Sequence, residues 1–316
     1  MNMLGKTLRH GMEFTILGVL RLGGWFIPFS LLPVLGWALG AVMFDVFRLQ
    51  RRLTLHNLTL AFGEQWTPQQ RLRIARRCYG FFGGVIMEVL ALPRLARRPL
   101  HRHVVLENPQ VMDEALAQGQ GVILVSGHFG NWEWMGGALS RSGYLLNMYV
   151  GRQHNPLADG VLNRLRQSLG THTIAEGAAM RDMLKALKKN GIVAMLSDQH
   201  YSRKIHFIHF FGRRVSTVPG PATLALRTGA ALVFGVAIRQ GWLRYCVRLE
   251  AIAVTPTDNP EYDILVVSQA ISDRLEAVVR QYPEQYFWMH NRWKPNPPNW
   301  VFTPTNQAFL DQLDQR

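Results

Sequence analysis

The chain has 316 residues, with 35 lysines and arginines against 21 aspartates and glutamates, for a formal charge of +14. Hydrophobic residues at 48% and charged residues at 18% exclude a disordered chain, and the two distant cysteines, Cys78 and Cys246, exclude a disulfide scaffold or a zinc ribbon. The excess charge asks for an anionic partner: nucleic acid, an anionic membrane surface or a phosphorylated substrate.

Six of the basic residues are lysines and 29 are arginines. A planar guanidinium fork suits phosphate and carboxylate, although a coding bias toward arginine produces the same count. From the N-terminus, no charged residue falls between Arg21 and Asp45. Residues 22–44 include Trp25, Phe26, Phe29, Leu35, Trp37 and Met43, and about 20 apolar residues suffice to cross a bilayer. Pro28, Pro33, Gly36 and Gly40 argue against a plain straight helix. No small-residue cleavage site follows, and Arg48, Arg51 and Arg52 do, so this is not a signal peptide. Three readings stay open: an anchoring span, a broken hairpin in one leaflet, and a buried pair of core helices. Residues 1–52 are set apart as an N-terminal membrane anchor, and 53–316 as one α/β domain. Within that domain, residues 71–102 carry eight arginines against one acid, Glu88, together with Tyr79, Phe81 and Phe82. That is the composition of basic interfacial helices on anionic lipid.

From residue 120 onward the pattern alternates. Short apolar runs predict strands at 121–126, 145–150, 171–174, 191–196, 231–239 and 244–254. Periodic segments predict helices at 131–142, 156–169, 177–189, 218–229 and 261–281. Alternation of this kind predicts a central, mostly parallel sheet flanked by helices, with its chemistry beyond the carboxyl ends of strands. The tail over 295–304 is rich in proline and is expected to wrap the surface.

The first buried run ends in Ser126, Gly127, His128, Phe129, Gly130, Asn131, Trp132 and Glu133. On one ideal helix, residues five apart diverge by about 140°. His128 and Glu133 therefore meet only if the histidine lies in a turn and the glutamate in the helix, which Gly127 and Gly130 allow. A neutral imidazole then takes a proton from a hydroxyl while a carboxylate fixes its tautomer. The alternative is a capping histidine and a solvent-facing glutamate. The strand at 191–196 runs into Ser197, Asp198 and Gln199, which either line the same cleft or cap the next turn. Arg213 and Arg214 precede a proline-opened helix, with Thr217 as its expected N-cap, a place where an anion can bind. His200, His206 and His209 match no common metal site, and no phosphate loop or dinucleotide fingerprint occurs.

The segment 127–133 resembles the His-x4-Asp/Glu box of the lysophospholipid acyltransferase superfamily, in the form found in the late acyltransferases of bacterial lipid A biosynthesis. Asn57 and Leu58 with Phe62, Gly63 and Glu64 resemble a further motif, with Gly63 in place of a proline. Arg152 to Pro156, Ser197 to Gln199, Phe210 to Gly212 with Thr217, and Pro283 to Lys294 follow in the family's order. The resemblance implies acyl transfer on the cytoplasmic face of a bacterial inner membrane. It implies an acyl thioester on acyl carrier protein as donor, and a hydroxyl of a phosphorylated, lipid A-type glycolipid as acceptor. It implies His128 as general base with Glu133 as its partner. It implies an active-site arginine that aligns with Arg166, with Arg152 and Arg164 as rivals, and Asp198 as a further candidate. Asn131, Arg152, Arg164, Gln199, Arg213 and Arg214 are the candidate substrate-binding residues. No cofactor and no metal is implied. No Gly-x-Ser-x-Gly elbow is present and neither cysteine sits in a motif, so direct attack by the activated hydroxyl suffices. An arginine or a backbone N–H would hold the developing oxyanion. Another lipid or head group as acceptor, or a non-catalytic basic membrane binder, are the competing readings. Nucleic acid is disfavoured, because no binding motif appears and the basic cluster adjoins an apolar run.

Overall fold

The computed structural model describes residues 27–95, 97, 99–151, 156–176, 179–199, 206–294 and 302–315. The first helix, α1, spans Phe29–Val46 without interruption. Pro28 precedes it and Pro33 lies in its first α-helical turn, where a missing N–H leaves no bond unmade. Helix α2 covers Arg51–Phe62 and α3 covers Pro68–Leu90. A capping box starts α3: Gln70 N–H donates to Thr67 Oγ1, and Thr67 N–H donates to Gln70 Oε1.

The glycines of α1 join it to α3. A Cβ at Gly36 would overlap the backbone of Gly84, and one at Gly40 would overlap the Tyr79 carbonyl. Gly36 and Gly40 are four apart, as are Gly80 and Gly84 of α3, so two small-residue stripes meet. Gly36 and Gly40 therefore do not break the helix; α3 stabilises the turns they weaken. The other faces of α3 belong to the protein core. Tyr79, Phe81 and Phe82 are buried there and not turned to lipid, which corrects the interfacial expectation for the aromatic half of 71–102. The physical reason is that Phe82 packs edge-on against Phe287 and Cys78 Sγ donates to the Tyr286 carbonyl, so the segment is covered by protein. The exposed arginines Arg73, Arg76 and Arg77 lie in the first half of the helix.

After the short turn Leu92–Leu95 the chain enters the α/β layer. It runs β1 (Val104–Leu106), α4 (Gln110–Ala117), β2 (Val122–Ser126), α5 (Trp132–Arg141), β3 (Leu146–Val150), α6 (Pro156–Ser168), β4 (His172–Ala175), α7 (Ala179–Lys188) and β5 (Ile192–Leu196). A hairpin of β6 (His206–Phe210) and β7 (Arg213–Thr217) follows, then α8 (Gly220–Thr228), β8 (Ala231–Gly241), β9 (Arg244–Ile252), α9 (Pro260–Gln281) and α10 (Pro304–Asp314). The seven-stranded sheet has the order β1-β9-β8-β2-β5-β3-β4. Strands β8, β2, β5, β3 and β4 are mutually parallel, and β9 turns back antiparallel beside β8. The central strand β2 is buried at every position, because helices cover both faces of a parallel sheet. Helices α5 and α6 pack one face through Trp134, Leu139 and Leu165. Helices α7, α8 and α9 pack the other through Leu187, Leu224 and Leu275.

Thr217 does not cap α8. It closes β7, and Pro219 occupies the N-cap with no side-chain hydrogen bond. Residues 295–301 of the proline-rich tail lie outside the described residues, and 304–314 form α10 against β6. The stripe joining α1 and α3 leads to a prediction. Gly36→Val is expected to destabilise the fold by at least about 1–3 kcal/mol. Thermal unfolding in detergent reads this, and an unchanged midpoint would refute close packing between α1 and α3.

Candidate active site

Strands β2 and β5 are neighbours in parallel register, with Ser126 opposite Leu196. Ser197 N–H donates to the Ser126 carbonyl at 3.0 Å, so the two chains stay paired to the point where they leave the sheet. That pairing brings His128, two residues past β2, against Asp198, two residues past β5. Asp198 Oδ2 accepts the His128 backbone N–H at 2.9 Å, and Oδ1 lies 2.7 Å from His128 Nδ1. An ionised carboxylate only accepts, so Nδ1 carries a proton, and whenever the ring is neutral it is Nε2 that presents a lone pair. Gln199 Nε2 stands 3.1 Å from that nitrogen. The imidazole is 20% exposed while Asp198 is buried.

The Asp198 carboxyl is held low by its neighbours. Burial alone pushes it up, but the charge of His128, the two hydrogen bonds from that residue and the charge of Arg292 outweigh burial and bring it down to about 2. Arg292 is itself buried, donates to the Ser216 carbonyl at 2.5 Å and lies over the Phe210 ring. Burial draws its guanidinium below the usual arginine range. The Tyr286 hydroxyl also bonds Asp198, and burial together with that carboxylate pushes the phenol far up. Tyr286 and Arg292 were not singled out from sequence. An arginine inside the aromatic run 286–293, within the motif already noted over 283–294, was the available signal.

The turn that presents His128 is fixed on all sides. The His128 carbonyl accepts Phe287 N–H at 2.9 Å, and Gly130 N–H donates to Gln285 at 2.8 Å. Gly130 has φ +62°, and a Cβ there would overlap the Ala237 carbonyl. Only glycine meets both demands. The backbone N–H groups of residues 128–131 are all engaged: by Asp198, by Gly127 O, by Gln285 O and by Ala237 O. The strap over 285–290 is held from behind, where Asn57 Nδ2 donates to the Trp288 and His290 carbonyls at 2.8 and 2.7 Å. Asn57, met first as part of a motif, is thus a tie between α2 and the site.

The pairing of His128 with Glu133 is not what the structure holds. Glu133 lies in the first turn of α5 and takes a two-pronged contact from Arg166 of α6, with Nη2 to Oε1 at 2.7 Å and Nε to Oε2 at 3.0 Å. Arg166 Nη1 also donates to Asn163. A guanidinium fork matches a carboxylate better than one imidazole edge does, and Asp198 already holds that edge. Asn131 is fully buried, caps α5 by accepting Trp134 N–H, and donates to Glu88. Both ends of its amide face protein, which corrects its expected contact with substrate. Arg213 donates to the Leu60 carbonyl and Arg214 pairs with Asp314 of α10, and both side chains are exposed. Arg164 is exposed on α6, and Arg152 and His200 lie outside the described residues.

A cavity of about 700 Å³ opens at the same carboxyl edge. Tyr149 ends one wall at β3, Met195 and Leu196 another at β5, and Met180, Met183 and Leu224 close it from α7 and α8. Its size falls within the ~300–1,000 Å³ of small-molecule sites, and its lining is mostly apolar.

The chain is similar to known proteins along most of its length. Residues 4–295 match the family described as bacterial lipid A biosynthesis acyltransferase. A lipid A biosynthesis lauroyltransferase of Escherichia coli is 25% identical over 298 residues, 92% of this chain and 93% of that one. A lipid A biosynthesis acyltransferase of Haemophilus influenzae is 24% identical, over 84% of this chain and 82% of that one. A phosphatidylinositol mannoside acyltransferase of Mycobacterium tuberculosis is 27% identical over 67% of each chain.

The depressed carboxyl of Asp198 sets a pH dependence. A folded value of about 2 against an ordinary 3.8 stabilises the fold fully above pH ~4, and this contribution is lost as pH falls toward 2. It amounts to roughly 2 kcal/mol. Asp198→Asn is therefore expected to be less stable than the native chain at pH 5–7, with the gap narrowing by pH 2. Urea unfolding across that range measures it, and a gap independent of pH would refute the ionised pair.

Proposed function

We infer the reaction from one premise: the chain belongs to the bacterial lipid A biosynthesis acyltransferase family. It is an O-acyltransferase, and relatives of both kinds support acyl transfer to a glycolipid. We propose that it moves a fatty acyl chain from a thioester on acyl carrier protein to a hydroxyl of a lipid A-type phosphorylated glycolipid, at the cytoplasmic face of a bacterial inner membrane. A basic chain suits an acidic carrier.

One observation carries the mechanism: the His128 ring, protonated at Nδ1 toward Asp198, with Nε2 free to accept a proton once Gln199 gives way. The acceptor hydroxyl gives its proton to Nε2 as its oxygen attacks the thioester carbonyl. The C–O bond forms, the C–S bond breaks, and the imidazolium returns the proton to the departing sulfur. Asp198 stays ionised and stabilises the imidazolium. With the N–H groups of 128–131 engaged, the oxyanion falls to a side chain. Arg166 is proposed for that role. Among the described residues its contacts use three of five N–H donors, and Glu133 serves to aim it. The apolar cavity beside β5 is proposed to take the acyl chain.

His128→Ala is expected to lower transfer at least about 100-fold with the fold intact, measured on purified protein with acyl carrier protein thioester. Retained turnover would reject His128 as base. Met180→Trp, at the cavity, is expected to shift transfer toward shorter chains and to cut the longest donor about tenfold or more. Competition between donors, read by mass spectrometry, checks it. The mycobacterial relative favours a second reading, a mannosylated phospholipid acceptor. Mass spectrometry of lipids from a deletion strain separates the two by which lipid loses an acyl chain.

A further inference from the structure

Helix α1 has two unlike sides. Leu32, Pro33, Gly36, Gly40 and Phe44 are buried, at a spacing near four, and they form the stripe against α3. Leu31, Val34, Leu35, Trp37, Val42 and Val46 are all 40–67% exposed. Within the helix no charged residue precedes Asp45, which stands one place before Val46 at the end, with Arg48 beyond it. This is an uninterrupted apolar face along a helix of 18 residues, about 27 Å long.

By length α1 is able to cross a bilayer, but its partner is not. The pairing with α3 runs the whole way. Leu32 shares a core cluster with Met87 and Leu90, Gly36 meets Gly84, Phe44 packs edge-on against Tyr79, and Asp45 pairs with Arg76. Helix α3 is in turn part of the core. Cys78 bonds the site strap, Phe82 packs on Phe287, and Glu88 is fully buried with Arg239, Tyr245 and Asn131. A crossing α1 would draw α3, and with it the sheet edge, into hydrocarbon.

We propose that α1 does not cross the bilayer but lies along it, its exposed apolar face seated at the boundary between head groups and acyl chains of anionic lipid, with α3 holding it flat. Cations mark both ends. Arg94 donates to the Ile27 carbonyl and covers the Phe29 ring at the start, and Arg48 and Arg52 stand exposed beyond the finish. Both ends are thus suited to the same layer of head groups. The consequence is functional and rests on the acyl-transfer reading. Glu88 of α3 bonds Asn131, three residues after His128, so a flat α1 sets the site at head-group depth, where a lipid hydroxyl is presented without leaving the membrane.

The test places a nitroxide at Leu31→Cys, Ala38→Cys and Val46→Cys, one at a time, in the full chain on phosphatidylglycerol–phosphatidylethanolamine vesicles. Cys78 and Cys246 are buried, and an unsubstituted control confirms that they stay unlabelled. Paramagnetic accessibility gives depth. A flat helix puts all three labels at one shallow depth of about 5–10 Å. A crossing helix puts label 38 near the bilayer centre and labels 31 and 46 at opposite faces, which overturns the proposal. Labels that stay aqueous, or become shielded by a second copy of the chain without lipid, overturn it too. Depth is read without turnover, so failure here leaves the acyl-transfer reading to be judged by His128→Ala alone.

Discussion

One buried carboxylate organises the site. Asp198 accepts the backbone N–H and the ring N–H of the same residue, His128, with Tyr286 and Arg292 beside it. An ionised group away from water persists only if its lone pairs are met by donors and its charge by a cation. Asp198 has all of these, and each donor in turn needs a holder. Arg292 is held by the Ser216 carbonyl and Tyr286 by a strap that Asn57 and Cys78 secure. The helices before the sheet thus take part in the chemistry by fixing what stands behind it.

The same principle explains where much of the charge goes. Arg166 meets Glu133, Arg239 meets Glu88, Arg214 meets Asp314, and Arg76 meets Asp45. A surplus of +14 suggests a surface seeking anions, yet Arg166 and Arg239 are internal struts, while Arg76 and Arg214 pair at the surface. Guanidinium is suited to that work because it remains charged when buried and bonds through a fork. The +14 is a net figure that such pairs leave unchanged. Its exposed share on α3 and after α1 adjoins the apolar face of α1.

Legibility followed burial. Strands β2, β5 and β8 were readable because helices on both faces make them continuous apolar runs. The β6–β7 hairpin was not, because His206 to Phe210 and Arg213 to Thr217 mix polar and apolar residues around a tight turn. Strand β1, three residues long, is too short to carry a pattern. The turn at His128 was legible through Gly127 and Gly130, because the positive φ of Gly130 is a local property. The glycines of α1 were read as local weakness, although a glycine stripe has meaning only once its partner helix is known.

Sequence alone determined the α/β class, the strand ends at which to look, an uncharged apolar stretch near the N-terminus and the family. It placed His128, Asp198, Glu133 and Arg166 as candidates, paired His128 with Glu133, and gave Asp198 and Arg166 no partner. Tertiary structure decided that Asp198 serves His128 and that Glu133 serves Arg166. It also decided that Asn131 faces inward and that α1 is bound to α3 along its length. The reason is one of range. Spacing along a chain constrains only neighbours within a turn or two, whereas hydrogen-bonded register between parallel strands joins residues 70 positions apart.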